Sequence, residues 1–270
     1  MTLGFFEAAL GRLGRVGIKF FKRRIEQASF AGRLYIEGLI GFKGSRPRRR
    51  LIRKLTLYQI LIVFKSSVLL LSIFGLLLGF LWAVIWYGTL ANLGGATTLN
   101  GLLISVHLQE ISPILTTMVV IIAYCGPMSL ELVWLKSSGE FSSLRLMGAS
   151  PEHVLGWPRT LALIWAFPGL ILIFNLFALA GAYWGTVSAI DLPLAEFGSD
   201  LLLAVKPFKF FMLAVKIFII SVSVGFFCLY NCWTIPEGGY NLAPGAVRRA
   251  MCEAFVYSTL AGVLVTILYG

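Results

Sequence analysis

The apolar residues of this chain fall into a few long runs, separated by short polar or glycine- and proline-rich segments. Residues 66–109 contain no Lys, Arg, Asp or Glu, and the turn-forming residues of 88–101 divide that run. Because the hydrocarbon core of a bilayer takes about 20 helical residues, the run is long enough for parts of two membrane-spanning helices. The pattern predicts an all-α polytopic membrane protein with five transmembrane helices, at residues 56–87, 100–124, 157–187, 208–232 and 250–269.

The first 30 residues combine an apolar stripe at helical spacing with basic residues at other positions, which is typical of an amphipathic helix lying in the membrane interface. The stripe consists of Leu3, Phe6, Leu10, Leu13, Val16 and Phe20. A dense basic run follows at 46–54, and we interpret it as an anchor that sets membrane orientation, with lipid-headgroup or nucleic-acid binding as the alternatives. The sequence therefore predicts an interfacial and basic N-terminal segment at 1–54 and one transmembrane domain at 55–270.

The composition supports a membrane protein. Hydrophobic residues make up 58% of the chain and charged residues only 13%, whereas charged residues average about 25% in soluble domains. The net charge is +11, and 14 of the 23 Lys and Arg residues precede Leu55. This asymmetry favours a basic cytoplasmic face over a nucleic-acid partner, because basic residues accumulate on the cytoplasmic side of membrane proteins. Five spans then place the N-terminus in the cytoplasm and the C-terminus outside it.

The stretch 110–151 is the part of the chain around which we expect the other elements to be arranged. It begins with Glu110 inside an apolar run, and a break in the helix is predicted at Cys125, Gly126 and Pro127. A helix is predicted at about 130–147. It would be held between two spans at the cytoplasmic face, where a partner protein could push on it.

Motifs that carry chemistry are scarce. The chain contains no GxxxxGK[ST] nucleotide-binding loop, so a partner must bind any ATP that is used. His107 and His153 are the only histidines, no zinc-type ligand cluster is predicted, and the four cysteines are interpreted as small apolar residues. His107 and Glu110 are three residues apart and could serve an intramembrane enzyme as base and orienter, but no nucleophile or second acid lies near them in the sequence. No catalytic residue, metal or cofactor is therefore predicted.

Glu110 and Lys216 are ionisable residues within predicted spans. Burying a charge in a bilayer is costly, so such residues usually pair with one another and face a bundle interior or a water-filled cavity. We therefore predict a buried ion pair between them. It either fixes the packing of the helices or lines a substrate path.

Several short sequences resemble those of the MlaE/YrbE permease family, the membrane subunits of ABC systems that move lipids together with MCE proteins. Residues 107–113 (HLQEISP) are similar to the family's LRELGP-type segment, and Glu131, Lys136 and Leu144 continue the match without gaps. Residues 147–151 resemble the family's M-G-x-x-P ending. Further likeness is found at Gly75, Gly79, Lys216, 264–266 and 269–270.

The resemblance implies a bacterial inner-membrane permease subunit that is not an enzyme and that forms a dimer with a second copy or a paralogue. It implies as further partners a cytoplasmic ABC ATPase, which binds the ATP, a periplasmic MCE-domain protein, and a phospholipid. The helix at 130–147 then becomes the coupling helix, and its implied ATPase contacts are Glu131, Trp134, Lys136, Glu140, Phe141, Leu144 and Arg145. The implied lipid pocket is lined by Trp82, Ile85, Thr89 and Leu93, with Glu110 deeper.

The chain departs from the family pattern at several positions. Gln109 stands where the family has an Arg, Gly139 where it has an acidic residue, and Arg145 where it has a Glu. These departures leave a second hypothesis, in which the chain is a non-transporting assembly half that anchors an MCE ring and an ATPase while a partner permease binds the lipid. A third class, an intramembrane lipid-modifying enzyme, requires a polar cluster that the sequence does not show.

Overall fold

The computed structural model describes residues 25–27, 29–34, 36, 46–90, 105–190 and 207–269. Within these ranges the chain is helical apart from short turns, no β-strand occurs, and five helical stretches are long and apolar enough to cross a membrane. In chain order we call them the first to fifth spans: Arg50–Ile85, His107–Ser137, Glu152–Ser188, Lys209–Trp233 and Tyr240–Leu268. The predicted all-α polytopic fold with five spans is confirmed.

Four of the predicted spans fall within single helices of the structure. The first span belongs to the helix Arg46–Leu90, so the basic run at 46–54 continues directly into the membrane helix. The third span joins a π-helical turn, Glu152–Gly156, to the helix Trp157–Ile190. The fourth span lies in the helix Pro207–Trp233, and the fifth joins a 3-10 turn, Tyr240–Leu242, to the helix Ala243–Tyr269.

The second span continues past the break that the sequence predicts at Cys125, Gly126 and Pro127. Its parts are two π turns, His107–Ile111 and Ile121–Cys125, and two α-helices, Ser112–Val120 and Gly126–Ser137. The Gly126 N–H bonds to the Ile121 carbonyl, five residues back. Pro127 then falls in the first turn of the next helix, where a missing N–H costs little. The predicted break was therefore wrong, because one widened turn accommodates the Gly-Pro pair.

The first and third spans run parallel and pack closely along a stripe of glycines. A Cβ atom on Gly79 would lie 1.9 Å from the Ala178 carbonyl oxygen, and a Cβ atom on Gly181 would lie 2.1 Å from the Leu76 carbonyl oxygen. Only glycine permits two helix backbones to approach so closely, as in the small-xxx-small contacts of membrane helices. Gly75 and Gly79 both lie at this contact, and the third span is their partner.

The fourth and fifth spans are antiparallel, and contacts join them along their length. The rings of Phe227 and Tyr257 stack with their centroids 4.4 Å apart. One turn along, Asn231 Nδ2 donates a hydrogen bond to Glu253 Oε2 at 2.9 Å. The second span contacts the first, fourth and fifth spans and so joins the two pairs into one bundle.

The end of the bundle that contains Trp233, here called the Trp233 end, carries the connections 138–151 and 234–239. The residues described between 25 and 36 also pack there. Phe30 contacts the rings of Phe226, Tyr230 and Trp233, at centroid distances of 6.0, 5.7 and 5.8 Å. This part of the N-terminal segment is therefore fixed to the fourth span. The predicted amphipathic stripe at residues 3–20 lies outside the described residues.

Candidate functional site

Glu110 and Lys216 meet where the second, fourth and fifth spans come together. Lys216 Nζ lies 2.6 Å from Glu110 Oε2, and it also donates to the Gln109 carbonyl oxygen at 3.0 Å and to Thr266 Oγ1 at 2.9 Å. Thr266 Oγ1 in turn donates to Glu110 Oε1 at 2.9 Å. The three ammonium hydrogens and both carboxylate oxygens are therefore engaged, which is the condition under which a buried ion pair is tolerated.

The two members of this pair differ in accessibility. The Lys216 side chain is 5% exposed and the Glu110 side chain is 32% exposed, so Glu110 is the member that can be reached from outside the protein. Glu110 lies in the π turn His107–Ile111, a widened turn of the kind that is frequent at functional sites. Sequence reasoning predicted neither this turn nor the part played by Thr266.

The space beside the pair is small in the single chain. A recess of about 10 Å³ lies there, which is room for roughly one water molecule. Besides the pair, its lining residues are Ile114, Thr117, Ile220, Ser258, Thr259, Gly262 and Val263. No first-span residue lines this recess, so the structure does not bring Trp82 or Ile85 to Glu110.

The predicted pocket residues of the first span lie elsewhere. Trp82 is half-buried, and its ring centroid is 6.0 Å from that of His107. Ile85 is 53% exposed. Leu93 and the side chain of Thr89 lie outside the described residues. The single chain thus presents Trp82 and Ile85 away from the recess at Glu110.

His107 and Glu110 do not form an acid–base pair. The His107 ring stacks on Phe174 at a centroid distance of 6.2 Å, and its two nitrogens have no hydrogen-bond partner among the described residues. Glu110 is engaged by Lys216 and Thr266. A base and its orienter must be within hydrogen-bond reach of one another, so the geometry does not support an intramembrane enzyme at this position.

The predicted coupling helix at 130–147 consists of two helices. The residues up to Ser137 complete the second span, a turn follows at Ser138 and Gly139, and a seven-residue helix extends over Glu140–Leu146. Gly139 has a φ of 81°, a left-handed conformation that glycine adopts without strain. The segment therefore differs from the one continuous helix that was expected, because this glycine ends the second span and redirects the chain.

Three of the predicted coupling residues hold this segment to the protein itself. Phe141 is 1% exposed, and its ring centroid lies 4.7 Å from that of Trp233. Lys136 Nζ donates to the Trp233 carbonyl oxygen, and Arg159 Nη2 donates to Glu131 Oε1 at 2.7 Å. Phe141 is therefore not the exposed anchor that the sequence suggested. It belongs to the packing beneath the surface.

Other residues of this segment face outward. Trp134 is 56% exposed, the Arg145 side chain is 58% exposed and Glu140 is exposed. Leu146 and Met147 are 89% and 79% exposed. We call these five residues the 134–147 surface. Aromatic residues, Met and Arg are enriched at protein interfaces, so this composition is that of a docking surface.

Sequence reasoning missed Leu146 and Met147 as exposed residues. The signal available in the sequence was the glycine at position 148. In the structure Gly148 has a φ of 74° and follows the end of the Glu140–Leu146 helix. A glycine in this conformation terminates a helix. Leu146 is the last residue of that helix and Met147 follows it, and both side chains project from the protein.

Trp233 is a second residue that the sequence analysis did not identify. Its Nε1 donates to Glu152 Oε1 at 3.1 Å, its carbonyl accepts from Lys136, and its ring contacts Phe141 and Phe30. The N-terminal segment, the Glu140–Leu146 helix and the start of the third span meet at this side chain, and the end of the second span is bonded to its backbone carbonyl. Trp233, the last residue of the fourth span, therefore contacts the segment that carries the 134–147 surface.

Two comparisons with known proteins agree with this description. The family model described as Permease MlaE matches residues 56–268, which include most of the first span, the other four spans, the Glu110–Lys216 pair and the 134–147 surface. The intermembrane phospholipid transport system permease protein MlaE of Haemophilus influenzae is 23% identical over 274 aligned residues, which cover 100% of this chain and 99% of that relative. The chain belongs to the MlaE family of permeases.

Proposed function

We propose that this chain is the membrane permease subunit of an ABC-type complex that transports phospholipids. The observation that carries this proposal is the similarity, along the full length of both chains, to a permease whose name assigns it to intermembrane phospholipid transport. The buried ion pair between the second and fourth spans supports it, because ionisable residues inside a membrane domain commonly mark a substrate path. The chain itself would bind no cofactor and catalyse no reaction.

ATP would be bound and hydrolysed by a separate ABC ATPase, because the sequence has no nucleotide-binding loop. The 134–147 surface is its proposed docking site. Trp134, Leu146 and Met147 supply apolar contacts there, and Glu140 and Arg145 supply polar ones. Lys136, Glu131 and Phe141 act indirectly, by fixing the shape of this surface.

The proposed location is the bacterial inner membrane, with the Trp233 end in the cytoplasm. The basic run at 46–54 starts the first span on that side, which agrees with the bias of basic residues toward the cytoplasm. The C-terminus then lies in the periplasm, where an MCE-domain protein would receive or deliver the lipid.

A second permease copy or a paralogue would complete the lipid pocket. The recess beside Glu110 is only about 10 Å³ in one chain and cannot hold a lipid. The most apolar windows of the first and fifth spans are 22% buried, against 44–50% in the other spans, so these two spans present the largest free faces. Pairing through them would bring Trp82, Ile85, Thr89 and Leu93 into a shared cavity with Glu110.

Copurification from native membranes tests this assembly. We expect an ABC ATPase and an MCE-domain protein to copurify with the tagged chain. The double substitution Leu146→Ser and Met147→Ser should release the ATPase and retain the MCE-domain protein, because truncating true interface anchors costs about 2 kcal/mol or more. Both side chains are exposed, so the melting temperature of the membrane domain should not change.

Two controls make this test specific. Leu242, in the 3-10 turn that follows the other connection of the Trp233 end, is 56% exposed, and Leu242→Ser should leave the ATPase bound. Neutral substitutions at Arg48, Arg49 and Arg50 should also leave it bound. An ATPase that stays on the 146/147 variant and leaves the basic-run variant would contradict the proposed docking surface.

The hypothesis of a non-transporting assembly half has one observation in its favour, which is Gln109 at a position where the family resemblance implies an Arg. Lipid transfer by the reconstituted complex separates the two functions. The assay is run below the melting temperature of the Glu110→Gln variant, with all partners confirmed as bound. Under these conditions a transporting subunit should lose transfer in that variant, whereas an assembly half should show unchanged transfer.

A further inference from the structure

We propose that this chain binds a single phospholipid in a groove on its membrane-facing surface, separate from the recess at Glu110 and Lys216. The groove has a volume of about 600 Å³ and lies between the third and fourth spans, with a contribution from the second span. Small-ligand sites in proteins have volumes of about 300–1,000 Å³, so the groove is of ligand size. The proposal goes beyond the transport function, because it requires only that the spans lie in a bilayer.

The length of the groove matches one leaflet. Along the third span it extends from Ile164 to Leu179, which at about 1.5 Å per residue is roughly 22 Å. Half of a bilayer, with its headgroup region, is about 20–22 Å thick. A phospholipid of one leaflet therefore fits with its long axis along the helices.

The walls of the groove are apolar over most of this length. Ile171 and Ile217 lie on its floor, 1% and 7% exposed. Leu172, Leu176 and Phe218 form its rim and are 55%, 66% and 56% exposed. These side chains face the hydrocarbon part of the membrane, so the matching occupant is an acyl chain.

A cationic residue lies toward one end of the groove. The third and fourth spans are antiparallel, since Gly225 packs on Thr160 and Leu163. Lys209, a half-buried groove residue near the start of the fourth span, therefore lies toward the Leu179 end. That end is opposite the Trp233 end of the bundle. A lysine at the end of an acyl-chain groove is placed to bind the phosphate of a lipid headgroup by charge complementarity.

A buried polar side chain between these two parts indicates a ligand rather than bare hydrocarbon. Asn175 lines the groove, is 9% exposed, and its Oδ1 atom has no hydrogen-bond partner among the described residues. The amide Nδ2 group of the same side chain is a hydrogen-bond donor and can donate to an ester carbonyl of a lipid lying in the groove. Phospholipids carry that ester between the phosphate and the acyl chains.

The groove and the ion pair share one residue. Gln109 lines the groove, and its backbone carbonyl oxygen accepts a hydrogen bond from Lys216 Nζ at 3.0 Å. A bound lipid would therefore lie directly beside the charged pair without entering its recess.

Photolabelling of the purified full chain tests the site. The probe is phosphatidylglycerol with a photoreactive group in one acyl chain, and mass spectrometry locates the labelled residues. We expect labelling at groove residues such as Leu172 and Phe218. Ala214 lines the groove and is exposed, and Ala214→Phe should fill it and weaken labelling there roughly tenfold, which corresponds to about 1.4 kcal/mol. Ala180→Phe is the matched control, an exposed alanine of the third span that does not line the groove, and it should have no effect.

A second comparison tests headgroup recognition. Photoreactive diacylglycerol with the same acyl chains should label the groove about tenfold less than phosphatidylglycerol, and Lys209→Gln should remove this difference. Lys65→Gln, at an exposed lysine of the first span, should preserve it. Equal labelling by the two lipids in the unmodified chain would overturn the proposal. So would labelling spread evenly over all spans that Ala214→Phe leaves unchanged, because ordinary contact with bulk lipid gives that pattern.

Discussion

Lys216 is a charged residue buried where the second, fourth and fifth spans meet. A charged side chain at the centre of a membrane helix costs about 2.5–3.5 kcal/mol on insertion scales. Here each ammonium hydrogen has an acceptor, and one acceptor is the Glu110 carboxylate. The pair therefore compensates a penalty that Lys216 alone would impose.

We predict that Glu110→Gln lowers the thermal stability of the purified membrane domain. The substitution leaves the Lys216 charge buried, and breaking a buried pair in this way costs about 3–5 kcal/mol. The loss should lie at the lower end of that range because a third of the Glu110 side chain is exposed. A melting curve in detergent measures the effect.

The double substitution Glu110→Gln with Lys216→Met is the control, because replacing both members of a buried pair by uncharged groups is often neutral. Its melting temperature should return toward that of the unmodified chain. A single variant as stable as the unmodified chain would show that the pair does not stabilise the fold.

At the scale of single residues, the sequence predicted contacts only for residue types that are rare within the spans. Glu110 and Lys216 stood out because each is an ionisable residue inside an apolar run, and charges in a membrane seek a partner. Thr266 and the Gln109 carbonyl could not be foreseen in the same way, since hydroxyl and carbonyl groups occur along every span. Phe141 was misjudged for a related reason: its position in the sequence does not reveal that Trp233 covers it.

At the scale of the helices, the packing between the first and third spans depends strictly on the identity of two residues. Gly79 and Gly181 lie where any side chain would collide with backbone of the other helix, and backbone cannot move aside as a flexible side chain can. The two spans can therefore approach this closely only while both positions remain glycine.

We predict that Gly79→Ala destabilises the protein by about 1–3 kcal/mol or more, the usual cost of overpacking. The reason is the 1.9 Å separation between the new Cβ atom and the Ala178 carbonyl oxygen, which forces the helices apart. Thermal unfolding of the purified protein measures the loss. Gly245→Ala is the matched control, because no atom lies within 4 Å of a Cβ there and alanine favours a helix. Equal melting temperatures for the two variants would contradict the packing argument.

The positions of the spans were predictable because a membrane helix must be long and apolar, and both properties can be read from the sequence. The helical continuity of the second span could not be predicted from the sequence. Gly126 and Pro127 usually interrupt a helix, and only the structure shows that a π turn immediately before them keeps the chain helical. The division of 130–147 into two helices was not predicted either. Gly139 lies in a stretch whose other residues favour one continuous helix.

At the scale of the whole molecule, several of the described features lie at one end of the bundle. The Trp233 end gathers the residues described between 25 and 36, both described connections and the 134–147 surface. The basic run at 46–54 lies at the start of the helix that contains the first span. With five spans, the last residue of the fifth must lie on the opposite side of the membrane from the start of the first.

This geometry predicts the membrane orientation, because the basic residues identify the Trp233 end as cytoplasmic. A reporter fused after Gly270 should therefore behave as periplasmic. A cysteine at Leu146, which is 89% exposed, should react with a membrane-impermeant maleimide only in inverted vesicles. The labelling is best done with Cys252→Ser, since Cys252 is the exposed one among the four free cysteines and would otherwise give background. A cytoplasmic reporter at Gly270, or a Leu146→Cys side chain labelled in intact cells, would reverse the proposed orientation and with it the assignment of the 134–147 surface to an ATPase.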